Sequence, residues 1–126
     1  MLKPKMLADM LQAEMPFKYY VNEFPSGAPD ASAWVRLTGG YPPSDWSPRK
    51  QPSMQIVVRG PEKEAVQIEQ LAYDLHQHLH QRREFYAGTT LIRRCTADQS
   101  GPLYVGRDEN DRLLYSLNFT LVVMSE

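Results

Sequence analysis

The last predicted strand constrains the fold more than any other segment of the sequence. Residues 112–124 read RLLYSLNFTLVVM, and large apolar residues occupy every second position. Successive side chains of a β-strand point to opposite faces, so one face would hold Leu113, Tyr115, Leu117, Phe119, Leu121 and Val123. The other face would be partly polar. Such a strand needs a core on one side and tolerates solvent on the other, which is typical of an antiparallel sheet covered on one face.

Two helices and four further strands are predicted upstream of this strand. The strands are the segments rich in aromatic and β-branched residues at 17–24, 33–38, 54–60 and 89–97. Apolar residues spaced by three and four predict a helix at 1–15. A second helix is predicted from Pro61. Its acidic residues come early and its Arg82 and Arg83 come late, as the helix dipole favours.

The predicted order is therefore αβββαββ, in a single α+β domain spanning residues 1–126. Because helices do not alternate with every strand, we expect a mainly antiparallel sheet, or a mixed one, and not a doubly wound parallel sheet. The second helix has an apolar stripe formed by Ile68, Leu71, Ala72, Leu75 and Leu79. This stripe must be buried on a flat surface, so we expect both helices to pack on one face of the sheet.

The charge balance and the cysteine content count against several classes of protein, and any contact with DNA would have to be local. The formal net charge is −1 at pH 7, so the composition lacks the basic footprint of a nucleic-acid-binding or membrane-surface protein. Asp9, Gln12 and Glu14 interrupt the N-terminal apolar stretch before it could form a signal peptide. No transmembrane run is present either, so we expect no membrane partner. The single cysteine, Cys95, excludes an intrachain disulfide and favours synthesis in the cytosol.

The sequence shows no complete catalytic or metal site. The stretch DENDR resembles the start of an EF-hand loop, but Leu113 replaces the required glycine and Phe119 replaces the bidentate acid. His76 and His80 have the spacing of two zinc ligands, and no third ligand is evident. Cys95 lies within a predicted strand, where a lone cysteine is usually a small buried hydrophobe. We expect no metal, no cofactor and no enzymatic activity.

The long Pro-rich loop at 38–53 is a candidate contact surface. It carries Tyr41, Trp46, Arg49 and Lys50 among four prolines. This composition is found where a rigid backbone presents aromatic and arginine side chains to a protein partner. A loop that binds single-stranded nucleic acid by stacking, or a plain surface loop, fits the same residues.

Arg93 and Arg94 are a second candidate, because they are neighbours in a predicted strand. Strict alternation would place them on opposite faces, so that one of them needs a partner beside the core. That charge could guard a sheet edge or extend past the helix to solvent, or it could face a neighbouring subunit or the lumen of an assembly.

The segment PLYVGRDENDRLLYSLNF, residues 102–119, resembles the C-terminal signature of small phage proteins of the minor capsid, or tail terminator and tail completion, family. The residues that carry this resemblance are Pro102, Gly106, Arg107, Asp108, Arg112, Ser116, Asn118 and Phe119. Residues 55–79, a strand ending in Arg-Gly followed by a helix, are similar to the middle section of that family. The turn departs from the usual pattern, with Asn110-Asp111 in place of Asn-Gly, and the loop at 38–53 has no counterpart.

The resemblance implies a structural role in the phage virion, without catalysis. Proteins of this family form a ring, typically a hexamer, that caps the tail tube, stops its polymerisation and offers a surface to the head connector. The partners would be other copies of the chain, the tail tube protein and the head-tail connector protein, with no sequence-specific nucleic acid. In a ring, one patch of each subunit meets a different patch of the next. The residues that we expect at this interface are Trp46, Arg49, Arg93, Arg94, Tyr104, Arg107 and Asp108.

Two other classes of protein stay open on the sequence. A nucleic-acid-binding module would use Arg49, Lys50, Arg93 and Arg94, and its binding would weaken with salt. An enzyme would use Cys95 with a histidine base and would need an accessible, reactive thiol.

Overall fold

The computed structural model describes residues 1–124, which form two α-helices and eight β-strands. Their bounds in chain order are α1 Pro4–Glu14, β1 Tyr19–Val21, β2 Ser32–Leu37, β3 Arg49–Lys50, β4 Ser53–Gly60, α2 Ala65–Leu79, β5 Arg82–Ala87, β6 Thr90–Ala97, β7 Leu103–Arg107 and β8 Leu113–Met124. A short 3₁₀ turn, Glu62–Glu64, precedes α2. The predicted α+β class is confirmed.

All these strands belong to one sheet that is built around β8. The main path is β1-β2-β4-β8-β6-β5, and both β3 and β7 also pair with β8. With 12 residues, β8 is long enough to take two partners on each flank, β4 then β3 on one side and β7 then β6 on the other. Every pairing is antiparallel except that of β1 with β2, which is parallel. The sheet is therefore mixed.

The alternation predicted for β8 is confirmed, because every odd-numbered residue from Leu113 to Val123 is buried. These side chains belong to one core cluster that also contains Leu7 and Leu11 of α1. Ile68 and Leu75 of α2 belong to the same cluster. The opposite face of β8 is only partly buried, apart from Ser116.

The predicted limits of the second helix were wrong at both ends. Pro61 precedes the 3₁₀ turn, and the α-helix itself begins at Ala65. It ends at Leu79, and Gln81 then adopts a left-handed backbone with φ of 59° that turns the chain into β5. Arg82 and Arg83 therefore begin a strand and do not close the helix.

The predicted order αβββαββ was also wrong, because β3, β5 and β7 were missed. The strand predicted at 17–24 is limited to Tyr19–Val21 in the structure. The loop predicted at 38–53 contains the two-residue strand β3. The sequence of β7 does not alternate between apolar and polar residues, because Leu103, Tyr104 and Val105 follow one another. All three are exposed in the structure. A register shift between Tyr104 and Gly106 interrupts its pairing with β8 as well.

Candidate subunit interface

The predicted interface residues lie in two groups at opposite ends of β8. At its C-terminal end, Arg49 is the register partner of Met124 and Arg94 is the register partner of Val122. At its N-terminal end, Arg107 is the partner of Leu113. A strand rises about 3.3 Å per residue, so the two groups lie roughly 30 Å apart. The structure thus divides these residues between two separate surfaces.

The first group forms a shallow cavity of about 230 Å³, called here the arginine pocket and lined by Arg49, Arg83, Glu84, Arg93, Arg94 and Val122. Val122 belongs to the face of β8 that points away from the core. The arginine pocket therefore opens on the partly polar face of the sheet. Arg83 was not a predicted interface residue, because the sequence pattern predicts it at the end of a helix. The aromatic pair Phe85-Tyr86 that follows it was the available signal for a strand.

The expectation that Arg93 and Arg94 lie on opposite faces was wrong. A register shift between Ile92 and Arg94 interrupts the pairing of β6 with β8, and both arginines are exposed. The extra residue of a β-bulge leaves the ladder, so alternation does not apply to it. The Arg93 guanidinium donates a hydrogen bond of 3.0 Å to the Glu84 carboxylate. Arg94 lies directly opposite Arg83 across the β5–β6 pair.

The loop at 38–53 is closed at its base by two backbone hydrogen bonds and carries Trp46 exposed to solvent. The Thr38 N–H donates to the Ser53 carbonyl at 2.8 Å, and the Tyr41 N–H donates to the Gln51 carbonyl at 3.0 Å. These two bonds join the start and the end of the loop. Trp46 is 96% exposed, although tryptophan is a side chain that proteins usually bury. It lies three residues before Arg49, so it belongs to the same end of the molecule as the arginine pocket.

An apolar cavity of about 440 Å³ lies beside the same loop, lined by residues that include Leu2, Leu37, Tyr41, Pro43, Pro52 and Val123. Lys50 also lines this cavity. It is the register partner of Val123, whose side chain is on the core face, whereas Arg49 is opposite Met124. Lys50 is therefore not among the residues that line the arginine pocket, and the four basic residues of the nucleic-acid alternative are not all brought together.

The second group surrounds the turn between β7 and β8. The Asp108 carboxylate accepts hydrogen bonds from the Asn110 N–H at 2.9 Å, the Arg112 N–H at 3.0 Å and the Arg112 guanidinium at 2.7 Å. Burial acts to raise the pKa of Asp108, but these hydrogen bonds and the Arg112 charge outweigh it and hold the pKa below its usual value. Asp108 therefore stabilises the turn as an ionised carboxylate.

Tyr104 and Arg107 lie beside this turn on β7. Tyr104 is half exposed, and its ring centroid lies 5.3 Å from that of Tyr115. The Arg107 guanidinium forms an exposed ion pair of 3.2 Å with Glu62. Within residues 1–124, β7 pairs with β8 alone, so its other edge carries no strand there. An exposed edge with apolar and aromatic side chains is a surface that another chain can cover.

The three histidines take part in hydrogen bonds between elements. The His76 Nε2 lies 3.0 Å from the Gln99 carbonyl, and the His80 Nδ1 accepts the Ala97 N–H at 3.0 Å. His78 contacts the Glu14 carboxylate at 2.8 Å. In the described part of the chain, no three His, Cys, Asp or Glu side chains are grouped as metal ligands would be.

Cys95 is fully buried in the core, as predicted. Burial raises the pKa of its thiol to about 12, although the nearby Arg82 charge acts in the opposite direction. The thiolate is the nucleophilic form of cysteine, so this side chain is poorly suited to attack a substrate at neutral pH.

The fold and its surface define a small α+β protein whose distinctive polar and aromatic groups are exposed, as in proteins that act by assembly. A family model described as bacteriophage tail terminator protein matches residues 3–124. The chain therefore belongs to the bacteriophage tail terminator family, in agreement with the resemblance found in the sequence. Membership gives it a structural role in the phage virion and implies interactions with other tail and head components.

Two further comparisons concern the fold and the curated proteins. The chain is similar in fold to a solved structure that carries no functional name, with a TM-score of 0.58 and 15% identity, covering 97% of this chain and 90% of that one. No curated protein matches the chain. In residues 1–124, neither helix has the length and apolarity needed to span a membrane.

Proposed function

We propose that the chain forms a closed ring of six subunits on the end of the tail tube, where it stops polymerisation of the tube and offers a surface to the head connector. The observation that carries this proposal is the tail terminator family match over residues 3–124. The protein would be made in the host cytoplasm and would then become part of the virion. Its partners would be other copies of itself, the tail tube protein and the head-tail connector protein.

The shape of the molecule supports assembly into a ring. A closed ring needs two different surfaces on each subunit, so that one surface of a copy meets the other surface of the next copy. The arginine pocket and the β7–β8 turn are two such surfaces, and β8 holds them roughly 30 Å apart. Surfaces this far apart on one rigid sheet cannot meet within a single copy.

The predicted interface residues have different roles in this arrangement. Trp46 and Arg49 would provide one surface together with Arg93 and Arg94. Tyr104 and Arg107 would provide direct contacts on the other surface. Asp108 would act by holding the turn in shape, because its carboxylate already accepts hydrogen bonds within the turn.

The decisive experiment mixes the purified protein with polymerised tail tubes and examines them by electron microscopy. We expect a ring of density at one end of each tube, with sixfold symmetry in class averages, and shorter tubes when the protein is present during polymerisation. Tubes of unchanged length with bare ends would overturn the proposal. Light scattering of the free protein is a weaker test, because the tube can act as the template for the ring.

A further inference from the structure

The arginine pocket carries positive charge that residues 1–124 do not neutralise. Among residues 1–124, the only ion pair in the pocket joins Arg93 to Glu84 at 3.0 Å. Arg49, Arg83 and Arg94 line the same pocket, and their guanidinium groups form no hydrogen bond or ion pair with the described residues. Several guanidinium donors in one small pocket are suited to bind an anionic group, and carboxylates are bound in paired hydrogen bonds.

The pairing of β5 with β6 strengthens this point. Arg83 and Arg94 are direct register partners, so two like charges lie opposite each other on the same face of the sheet. Like charges in this position destabilise a sheet. Folding alone therefore does not account for them, whereas an anionic partner between the two side chains would turn the repulsion into attraction.

The other end of β8 carries the complementary charge. Carboxylates outnumber guanidinium groups there, since Asp30, Glu62, Asp108, Glu109 and Asp111 lie around Arg59, Arg107 and Arg112. Glu109 and Asp111 are exposed at the tip of the turn, and their carboxylates accept no hydrogen bond from the residues that the structure describes. The turn is already ordered by Asp108, so little conformational freedom is lost when it binds.

We propose that the arginine pocket of one copy binds the carboxylates of Glu109 and Asp111 at the tip of the β7–β8 turn of a second copy. This inference rests on the proposed ring and assigns the contact between its neighbouring subunits. The contact is heterologous, because the pocket and the turn lie at opposite ends of β8, so it can repeat from copy to copy until the ring closes. Arg83 and Arg94 would donate hydrogen bonds to the carboxylates, and Arg49 would line the side of the pocket.

A second copy accounts for the pocket better than a nucleic-acid backbone does. The chain has a formal net charge of −1, and Lys50 lines the apolar cavity and not the pocket. Binding to a phosphate backbone draws its strength from several basic contacts along the strand. A single small pocket instead matches the charge of one short acidic segment, and the ordered β7–β8 turn of another copy supplies such a segment.

The experiment uses two charge-reversed variants of the full chain, alone and mixed. One variant is R83E/R94E, which makes the pocket acidic, and the other is E109K/D111K, which makes the turn basic. In each variant alone, the two contact surfaces carry like charge. In an equimolar mixture, every contact between unlike variants again joins opposite charges, so an alternating ring of the two variants is complementary throughout.

Ring occupancy of tail-tube ends by electron microscopy and the oligomer distribution by native mass spectrometry at low salt are the two readouts. We expect each variant alone to lose at least tenfold in ring occupancy, and the mixture to recover wild-type occupancy. Wild-type occupancy by either variant alone, or a mixture that stays as inactive as its components, would overturn the inference. Circular dichroism melts show whether both variants are folded.

The controls separate this contact from other causes of failure. K3E/K18E reverses the charge of two exposed lysines outside both surfaces and makes the same net change as R83E/R94E, so it should form rings like the wild type.

A gel shift with duplex DNA tests the competing partner. Salt-sensitive DNA binding that R83E/R94E abolishes, without ring recovery in the mixture, would assign the pocket to phosphate. If the wild type forms rings and so do both variants, only this inference fails. If the wild type neither caps tubes nor associates in solution, the proposed function fails with it.

Discussion

At the scale of single residues, Gly40 controls the closed base of the loop at 38–53. Its φ is +89°, a left-handed conformation that glycine adopts without strain. A Cβ at this position would lie 2.2 Å from the Gln51 carbonyl oxygen and 2.7 Å from the Ser53 nitrogen. These are backbone atoms of the link between β3 and β4 and of the first residue of β4, so they can move only if the base of the loop opens. The closed base of this loop therefore depends on the absence of a side chain at Gly40.

Replacing Gly40 with alanine should destabilise the protein more than the same change at Gly39. Both residues have a left-handed backbone, so both variants carry a strain of roughly 1–2 kcal/mol. A Cβ at Gly39 meets nothing within 4 Å. At Gly40 the collision adds about 1–3 kcal/mol, the usual range for overpacking. Urea unfolding of G39A and G40A measures the difference, and equal free energies of unfolding would contradict the close approach.

At the scale of elements, Glu14 joins α1 to α2 and β5. Its carboxylate accepts two hydrogen bonds from the Arg82 guanidinium, at 2.6 Å and 2.9 Å, and lies 2.8 Å from His78. The Arg82 hydrogen bonds are the largest cause that lowers the pKa of Glu14, from 4.5 to about 2, against the opposing effect of burial. One carboxylate thus ties the last residue of the first helix to two later elements.

The stabilisation from Glu14 should be present at neutral pH and absent in acid. A carboxylate whose pKa is lower in the folded protein stabilises it above pH 4.5, and this contribution disappears as the pH falls towards 2. Glu14 is 30% exposed, so solvent screening reduces the effect, and we expect E14Q to lower the free energy of unfolding at pH 7 by about 1–2 kcal/mol. At pH 2 the variant and the wild type should be equally stable.

Urea unfolding at pH 7, pH 4 and pH 2 checks this expectation. E23Q is the matched control, because Glu23 is exposed and its carboxylate forms no ion pair within residues 1–124. It should not change stability at any of these pH values. A destabilisation by E14Q that is as large at pH 2 as at pH 7 would mean that the carboxylate charge is not its cause.

At the scale of the whole molecule, the chain presents two unlike surfaces on one sheet. The central strand β8 contributes residues to both ends, and its buried face fixes the sheet against the helices. Membership of the tail terminator family gives the protein a structural role. The core therefore holds the two ends of the sheet at a fixed separation, which the proposed repeated assembly would require.

Replacing Trp46 with alanine should weaken assembly without affecting folding. The side chain is 96% exposed, so its removal takes little from the core of the free protein. Tryptophan is enriched among the interface residues whose truncation costs about 2 kcal/mol or more, so we expect W46A to lose at least roughly tenfold in ring occupancy at limiting concentration. Electron microscopy of tail tubes titrated with W46A measures this loss.

V66A provides the comparison for W46A, since Val66 is also an exposed apolar residue, at 80%, but lies on α2. It should cap tubes like the wild type. If W46A caps tubes at wild-type concentration, the loop at 38–53 is not part of the subunit contact.

The sequence by itself determined the α+β class, the buried face of β8, the burial of Cys95 and the family resemblance. These features depend on local alternation or on the order of residues along the chain, so they can be read without knowing which strands meet. The tertiary structure alone decided the rest. It added β3, β5 and β7 and made β1 parallel to β2. It also placed Arg93 and Arg94 in the same pocket through a bulge in β6. Strand pairing and bulges are set by contacts between distant segments, and these contacts override the local pattern. Arg83 lines the pocket for this reason, because it lies in a strand that pairs with β6.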